Sequence, residues 1–260
     1  MLGRPSVLLS NDDGVHAPGL LAMRRALDAA GFTVTVCAPD RPRSASGHAI
    51  TLHKPLRVTR TSLADGSEAL ACSGMPSDCV LMAASQFPPD SGRFDLVVSG
   101  INHGPNLGWD VTYSGTVAAA MEAVILGIPA IAVSMASYDP APHWDTAASF
   151  VAGALATRTL ENGLPSATLL NVNVPNLPAE GLAGIRIARQ GERHYRDRHE
   201  ARVDPNGAPY YWLGGKPVEG DPTPGTDIEA VRSGFIAVTP IHLDLTNPAF
   251  LDPLAGWNLI

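Results

Sequence analysis

Residues 6–38 read SVLLSNDDGVHAPGLLAMRRALDAAGFTVTVCA, and their patterning decides the fold. Residues 6–10 form a short apolar run that halts at a polar cluster, as a buried strand does. Over residues 18–30 the apolar side chains Leu20, Leu21, Met23, Leu27 and Ala30 recur close to helical spacing, and Gly31 ends the pattern. Residues 33–38 are β-branched and predict a second strand that stops at Pro39-Asp40. Strand, helix and strand at this spacing predict a βαβ unit, hence a parallel sheet with a right-handed crossover.

The same alternation resumes downstream. A helix is expected over 76–84 with Pro76 near its start, a strand over 94–99 and a small-residue helix over 116–126. A strand over 129–134, a helix over 145–160 and a strand over 167–172 follow. The expected fold is α/β: a Rossmann-like, doubly wound, mostly parallel sheet in three layers, binding ligands beyond the carboxyl ends of its strands.

The texture changes near residue 181. After a strand-like run at 185–188, residues 189–213 are polar and aromatic, with Tyr195, Tyr210, Tyr211 and Trp212 around the turn signal Pro205-Asn206-Gly207. They predict a long β-hairpin. Such a hairpin rarely stands alone in water, so packing on a partner subunit is expected. A strand returns at 235–239. The tail carries Phe250, Leu251, Leu254, Trp257, Leu259 and Ile260, an apolar set that needs burial, with a dimer interface as the expected place. Residues 1–180 are therefore read as a catalytic core. Residues 181–260 supply its last strands, the oligomerisation hairpin and the tail, within one structural unit.

Composition narrows the function. The chain has 260 residues, 45% hydrophobic and 17% charged, enough to bury a core without disulfides or structural metals. Its formal net charge of -7 argues against general nucleic-acid binding, which selects basic faces. No apolar stretch reaches the roughly 18 residues of a membrane span, and Asn11-Asp12-Asp13 interrupts the apolar run nearest the start, so no signal peptide is expected. Cys37, Cys72 and Cys79 form an odd set without zinc-like pairing, read as reduced thiols. A cytoplasmic location is the expectation.

Four segments carry candidate chemistry. Asn11-Asp12-Asp13-Gly14 follows the first strand directly. Adjacent carboxylates repel, and a hard divalent cation neutralises them with oxygen ligands, although Asp-Gly is also an ordinary turn dipeptide. The loop after the second strand, Arg41 to His48, supplies Ser44 for a metal or a phosphate oxygen and Arg43 for phosphate charge; a flexible basic loop is the plain alternative. Asn11, Gly47 and His48 join the candidate substrate contacts. Residues 97–108 run from a strand into a glycine-rich loop holding Asn102 and Asn106, where an Asn carbonyl suits a hard cation and turn chemistry alone also explains the glycines. Tyr113-Ser114-Gly115-Thr116 opens a helix, either as a simple N-cap or as an anion site.

These segments, taken in order, resemble one family. NDDG, APDRPRSASGHAIT, CSGMPSDCV, SGINHGPNLG and YSGTVAAAMEA follow the order seen in the SurE (survival protein E) nucleotidases. LNVNVP, DPNGAPYYWLGG and GTDIEAVRSGFIAVTP extend the resemblance over almost the whole chain. It implies hydrolysis of nucleoside 5′- and often 3′-monophosphates, sometimes also of short polyphosphate. It further implies one divalent ion per subunit, Mg²⁺ or Mn²⁺, on Asp12, Asp13, Ser44 and Asn102, and phosphate held by Ser114, Gly115 and Thr116 with Asn106 nearby. A homodimer or homotetramer with an extended hairpin and an exchanged C-terminal segment is implied as well. Ser46 is a departure, since many members carry Thr there. Two other readings stand beside this one. A phosphatase with an aspartate nucleophile is disfavoured because the acids are adjacent rather than in a D-x-D pattern, and the other is a nucleotide-binding regulator without catalysis. A dehydrogenase is disfavoured because no G-x-G-x-x-G follows the first strand.

Overall fold

In the computed structural model, residues 4–193, 198–214 and 223–257 are described; Tyr195 and residues 258–260 of the tail lie outside them. The centre is a nine-stranded sheet in the order β3-β4-β2-β1-β5-β6-β7-β11-β8. Its strands are β1 Ser6–Ser10, β2 Thr33–Pro39, β3 Val58–Ser62, β4 Glu68–Cys72, β5 Leu96–His103, β6 Ala130–Met135, β7 Thr168–Val174, β8 Gly184–Ile187 and β11 Phe235–His242. Pairing is parallel except where β3 meets β4 and β11 meets β7. The mostly parallel, doubly wound sheet is as expected.

β1 shows how five residues serve two layers. Val7 and Leu9 point into one apolar cluster and Leu8 into the other, all at 0% exposure, because successive side chains of a strand alternate faces. On the first face lie α1 (Pro18–Ala29) and α4 (Trp144–Phe150), which continues through a π-helical turn at Val151–Leu155 into α5 (Ala156–Asn162). Leu20, Met23 and Leu27 of α1 are fully buried against this cluster. The second face is covered by α2 (Pro76–Gln86) and α3 (Gly115–Ile125), which pack on each other.

Several boundaries differ from expectation. The helix expected over 145–160 is broken into α4 and α5 by the π turn, a local departure that apolar spacing alone does not announce. The antiparallel edge ribbon β3–β4 had no signal, since β3 reads VTRTS and carries no apolar alternation. β5 runs on to His103, four residues past the expected end, so Asn102 lies on a strand tip rather than in a loop. The short helix α6 (Asp227–Arg232), capped by the Thr226 hydroxyl accepting from Glu229 N–H, was also missed.

The hairpin forms its own two-stranded sheet from β9 (Arg198–Val203) and β10 (Pro209–Gly214). Asp204 closes its turn, accepting from the N–H groups of Asn206 and Ala208 at 2.8 and 2.9 Å. Tyr211, Trp212 and Leu213 are exposed, and so are Phe250, Leu251 and Trp257 of the tail around α7 (Leu251–Ala255). No helix among the described residues is long and apolar enough to cross a membrane.

Candidate active site

The order of the sheet reverses between β1 and β5: from β1 the chain builds outward to β2, then returns to β5 on the other side. Such a switch point leaves a crevice at the strand carboxyl ends. All four candidate segments reach this edge, and hydrogen bonds tie them together.

Asp12 is at the tip of β1 and only 5% exposed. Its Oδ1 accepts from the Thr116 hydroxyl at 2.5 Å, and its carbonyl accepts from Arg43 N–H at 2.7 Å. Burial raises its pKa to about 6; the Asp13 charge adds to this, and the Thr116 hydrogen bond opposes it. Asp13 accepts from His103 N–H at 2.9 Å, and burial also pushes its carboxyl upward. Asn11 is fully buried, and its side chain closes the turn, donating to Gly14 O at 3.0 Å and accepting from Gly14 N–H at 3.2 Å. Gly14 takes φ +99°, a left-handed conformation that a side chain would strain.

The loop after β2 leans over this pair. Ser44 is exposed, while Gly47 N–H donates to Tyr113 O at 2.9 Å and joins the loop to the segment before Ser114. His48 turns its Nε2 to Glu122 of α3 at 2.9 Å, so that nitrogen is engaged within the protein. The Arg43 guanidinium donates to Ser73 O at 2.8 Å and faces Asp40 at 3.4 Å, with its side chain 14% exposed.

At the third strand end Asn102 donates its Nδ2 to Gly104 O at 2.8 Å, which leaves the amide oxygen as an acceptor. Asn106 is more deeply held. Its N–H donates to Asn173 Oδ1 and its Nδ2 to Ser134 Oγ, both at 2.8 Å. Its carbonyl accepts from Asn171 and Asn173 at 2.9 Å each. Asn171 and Asn173 went unrecognised as site-building residues. Two Asn at alternate positions of an otherwise apolar central strand are the signal, because they share one face and need partners there.

The fourth element is the start of α3. Ser114 caps it, its Oγ accepting from Val117 N–H at 3.1 Å. Gly115 touches the acid pair: a methyl group there would fall 2.7 Å from Ser46 Oγ and 2.8 Å from Asp12 Cβ. The site thus brings Asp12, Asp13, Asn102, Ser114, Gly115 and Thr116 to one crevice, with the loop of Ser44 and Gly47 bonded to it on both sides.

The residues fit a hard divalent cation. Asp12 is buried and Asp13 half-buried, burial raises the pKa of both while His103 partly offsets the rise at Asp13, and neither acid takes part in an ion pair among the described residues. The Ser46 hydroxyl on the Asp12 side is buried with no hydrogen-bond partner among the described residues. Hydroxyl and amide oxygens complete an all-oxygen donor set of the kind Mg²⁺ and Mn²⁺ take. Among the described residues no three of His, Cys, Asp and Glu gather as a metal site, consistent with a set that has two carboxylates and otherwise neutral oxygens.

Comparison with known proteins follows the same lines. The Survival protein SurE family model matches residues 7–197. The chain belongs to the SurE family. It is 52% identical over 255 residues to the 5′-nucleotidase SurE of Geobacter sulfurreducens, covering 98% of this chain and 94% of that one. With the 5′-nucleotidase SurE of Herpetosiphon aurantiacus it shares 50% over 256 residues, 97% and 99% of the two chains. The crystal structure of the SurE protein from Aquifex aeolicus superposes with a TM-score of 0.83 at 40% identity, covering 97% of this chain and 99% of that one. The SurE family match includes β1 through β8, and with them the strand ends that build the crevice.

Proposed function

We propose that the protein is a divalent-metal-dependent 5′-nucleotidase, hydrolysing nucleoside monophosphates to nucleoside and phosphate. The observation that carries this reading is the contact of Gly115 and Thr116 with Asp12. An anion-binding helix start and a dicarboxylate pair are built as one unit, which suits a phosphate held between backbone N–H groups and a cation. The relatives named 5′-nucleotidase SurE support the substrate class.

In this reading Asp12, Asp13, Ser44 and Asn102 hold one Mg²⁺ or Mn²⁺ per subunit. The bound ion would supply charge neutralisation and a Lewis acid for the phosphoryl oxygens. Thr116 keeps Asp12 oriented by donating to Oδ1, and His103 N–H does the same for Asp13 through Oδ2. Asp13 keeps its second oxygen for guiding a proton from the attacking water, which must approach phosphorus opposite the leaving ester oxygen. The start of α3, with Ser114 and Asn106 beside it, receives the remaining phosphoryl oxygens. Asn11 shapes the turn under the acids, and Gly47 and His48 brace the covering loop against Tyr113 and Glu122. Water adds to phosphorus, the P–O ester bond breaks, and the nucleoside leaves with a proton.

The proposal extends to 3′-monophosphates and short polyphosphate, which present the same terminal phosphoryl group. It also takes residues 1–180 as the catalytic core and the hairpin as an oligomerisation arm in a dimer or tetramer, with an exchanged tail. The exposed Trp212, Leu213, Phe250 and Trp257 support that assembly. Nucleic acid and membranes are not among the partners proposed, and the location proposed is the cytoplasm.

Phosphate release from AMP and GMP, measured with Mn²⁺, Mg²⁺ and EDTA, tests the function. Turnover that appears with the metal and vanishes with the chelator is expected. Full activity in EDTA overturns the metal assignment, a trapped phospho-aspartate overturns the direct attack of water, and nucleotide binding without turnover leaves a regulator.

A further inference from the structure

Asp227 belongs to the GTDIEAVRSGFIAVTP segment, which the catalytic reading leaves without a role. It lies over a hundred positions beyond the candidate phosphate loop, yet its fully buried carboxylate meets that loop directly. Oδ2 accepts from Gly108 N–H at 2.8 Å, and Oδ1 accepts from Gly191 N–H and Ile228 N–H at 2.9 Å each. Gly108 lies two residues after Asn106, and Gly191 lies at the root of the hairpin arm.

Around this carboxylate the two segments are pressed together. Gln190 Nε2 donates to Gly108 O at 2.8 Å, and Arg193 pairs with Asp110. A methyl group on Gly108 would fall 2.8 Å from Gly191 O, and one on Gly191 would fall 2.9 Å from Ile228 Cδ1. Gly108 is therefore demanded by close approach to backbone and by its φ of +54°, while Gly191 packs against the tip of the Ile228 side chain. On its other side the loop is held by Asn173 and Ser134 through Asn106.

We propose that Asp227 is a positioning residue for phosphate binding, clamping the root of the hairpin arm to the loop that carries Asn106 and leads into Ser114; this rests on the nucleotidase reading above. Both Asp227 oxygens are spent on backbone amides, and a carboxylate would repel a phosphate, so it acts through the loop rather than on substrate. A carboxylate also answers three N–H donors with two acceptor oxygens, whereas an Asn offers one. As a result the arm root and the phosphate loop keep one relative placement, and a displacement of the arm reaches the phosphate site.

The test is steady-state hydrolysis of AMP with Mn²⁺ by the full-length Asp227→Asn and Asp227→Ala variants, alongside Mn²⁺ calorimetry and amide exchange over residues 106–114. KM should rise about tenfold or more in Asp227→Ala and less in Asp227→Asn, as loss of buried acceptors loosens the loop. Mn²⁺ affinity should change less than KM, because Asp12, Asp13 and Ser44 sit on other strand ends and Asn102 is held within β5 ahead of the clamped loop, and exchange over 106–114 should quicken. A role in folding alone would lower the folded fraction and leave KM unchanged, so an unchanged KM in either folded variant overturns the proposal, whatever the exchange shows. Should Asp227→Ala fail to fold, Asp227→Asn decides. A wild type that releases no phosphate sinks the nucleotidase reading instead, and the clamp is then read from calorimetry with inorganic phosphate, whose affinity must fall in Asp227→Asn for the proposal to survive.

Discussion

The Thr116 hydroxyl donates to Asp12 Oδ1 at 2.5 Å, joining the first turn of α3 to the tip of β1 across 104 positions of sequence. Both residues are nearly inaccessible, at 0% and 5% exposure. The bond keeps a buried carboxylate oriented and partly offsets the desolvation that raises its pKa. Replacing Thr116 with Val keeps the shape and removes the donor. The expected cost is about 1–3 kcal/mol of stability, since a buried acceptor loses its partner. Turnover should fall by roughly 10- to 100-fold, because a carboxylate that loses its orienting donor no longer holds the reacting groups in place. Urea unfolding and initial rates on AMP check both.

Asp12→Asn and Asp13→Asn should each abolish most turnover while leaving the far-UV spectrum intact. Divalent-ion binding, followed by calorimetry, should weaken together with activity. In the metal-free protein Asp12→Asn should not lower Tm, because it removes a buried charge that has no cationic partner among the described residues. A marked drop in metal-free Tm would mean that the Asp12 carboxylate is a structural anchor.

Gly115→Ala probes the contact between the helix start and the acid pair. The added methyl group meets Ser46 Oγ at 2.7 Å and Asp12 Cβ at 2.8 Å, closer than real side chains approach. Overpacking of this kind costs about 1–3 kcal/mol, and it acts on the atoms proposed to bind phosphate and metal. Activity should fall by roughly tenfold or more, because small displacements of reacting groups cost rate steeply, with Tm falling by several degrees. Wild-type kinetics in this variant would separate the α3 start from the chemistry.

Asp65 gives a pH test away from the site. The Ser67 hydroxyl at 2.6 Å, followed by Ser67 N–H, Arg25 and Arg24, pulls its carboxyl down to about 2. A depressed folded pKa means stability that is present above the ordinary carboxylate range and is lost as pH falls from about 4 through about 2. The pairs are partly solvated, so the contribution is under about 1 kcal/mol. Asp65→Asn should flatten that part of the stability profile, as read from urea midpoints between pH 5 and 2.5. A midpoint for Asp65 near 4 in a carbon-13 titration would contradict the ion-pair geometry.

Local order settled much of this protein in advance. The run at 6–10, the helical spacing of Leu20, Met23 and Leu27, and the β-branched 33–38 require only nearest-neighbour physics, and they gave the βαβ unit and its parallel sheet. Adjacent Asp12 and Asp13 at a strand end likewise announced a charge problem from their positions alone. What the sequence could not decide was which distant groups answer that charge and hold the loops: Thr116 on Asp12, Glu122 on His48, Asn173 on Asn106 and Asp227 on Gly108. Nor could it show that Arg43 is held by Asp40 and Ser73. Periodicity reports the face a residue turns to its own element. Partners 67, 74, 104 and 119 positions apart are chosen only when the sheet order brings their strand ends together.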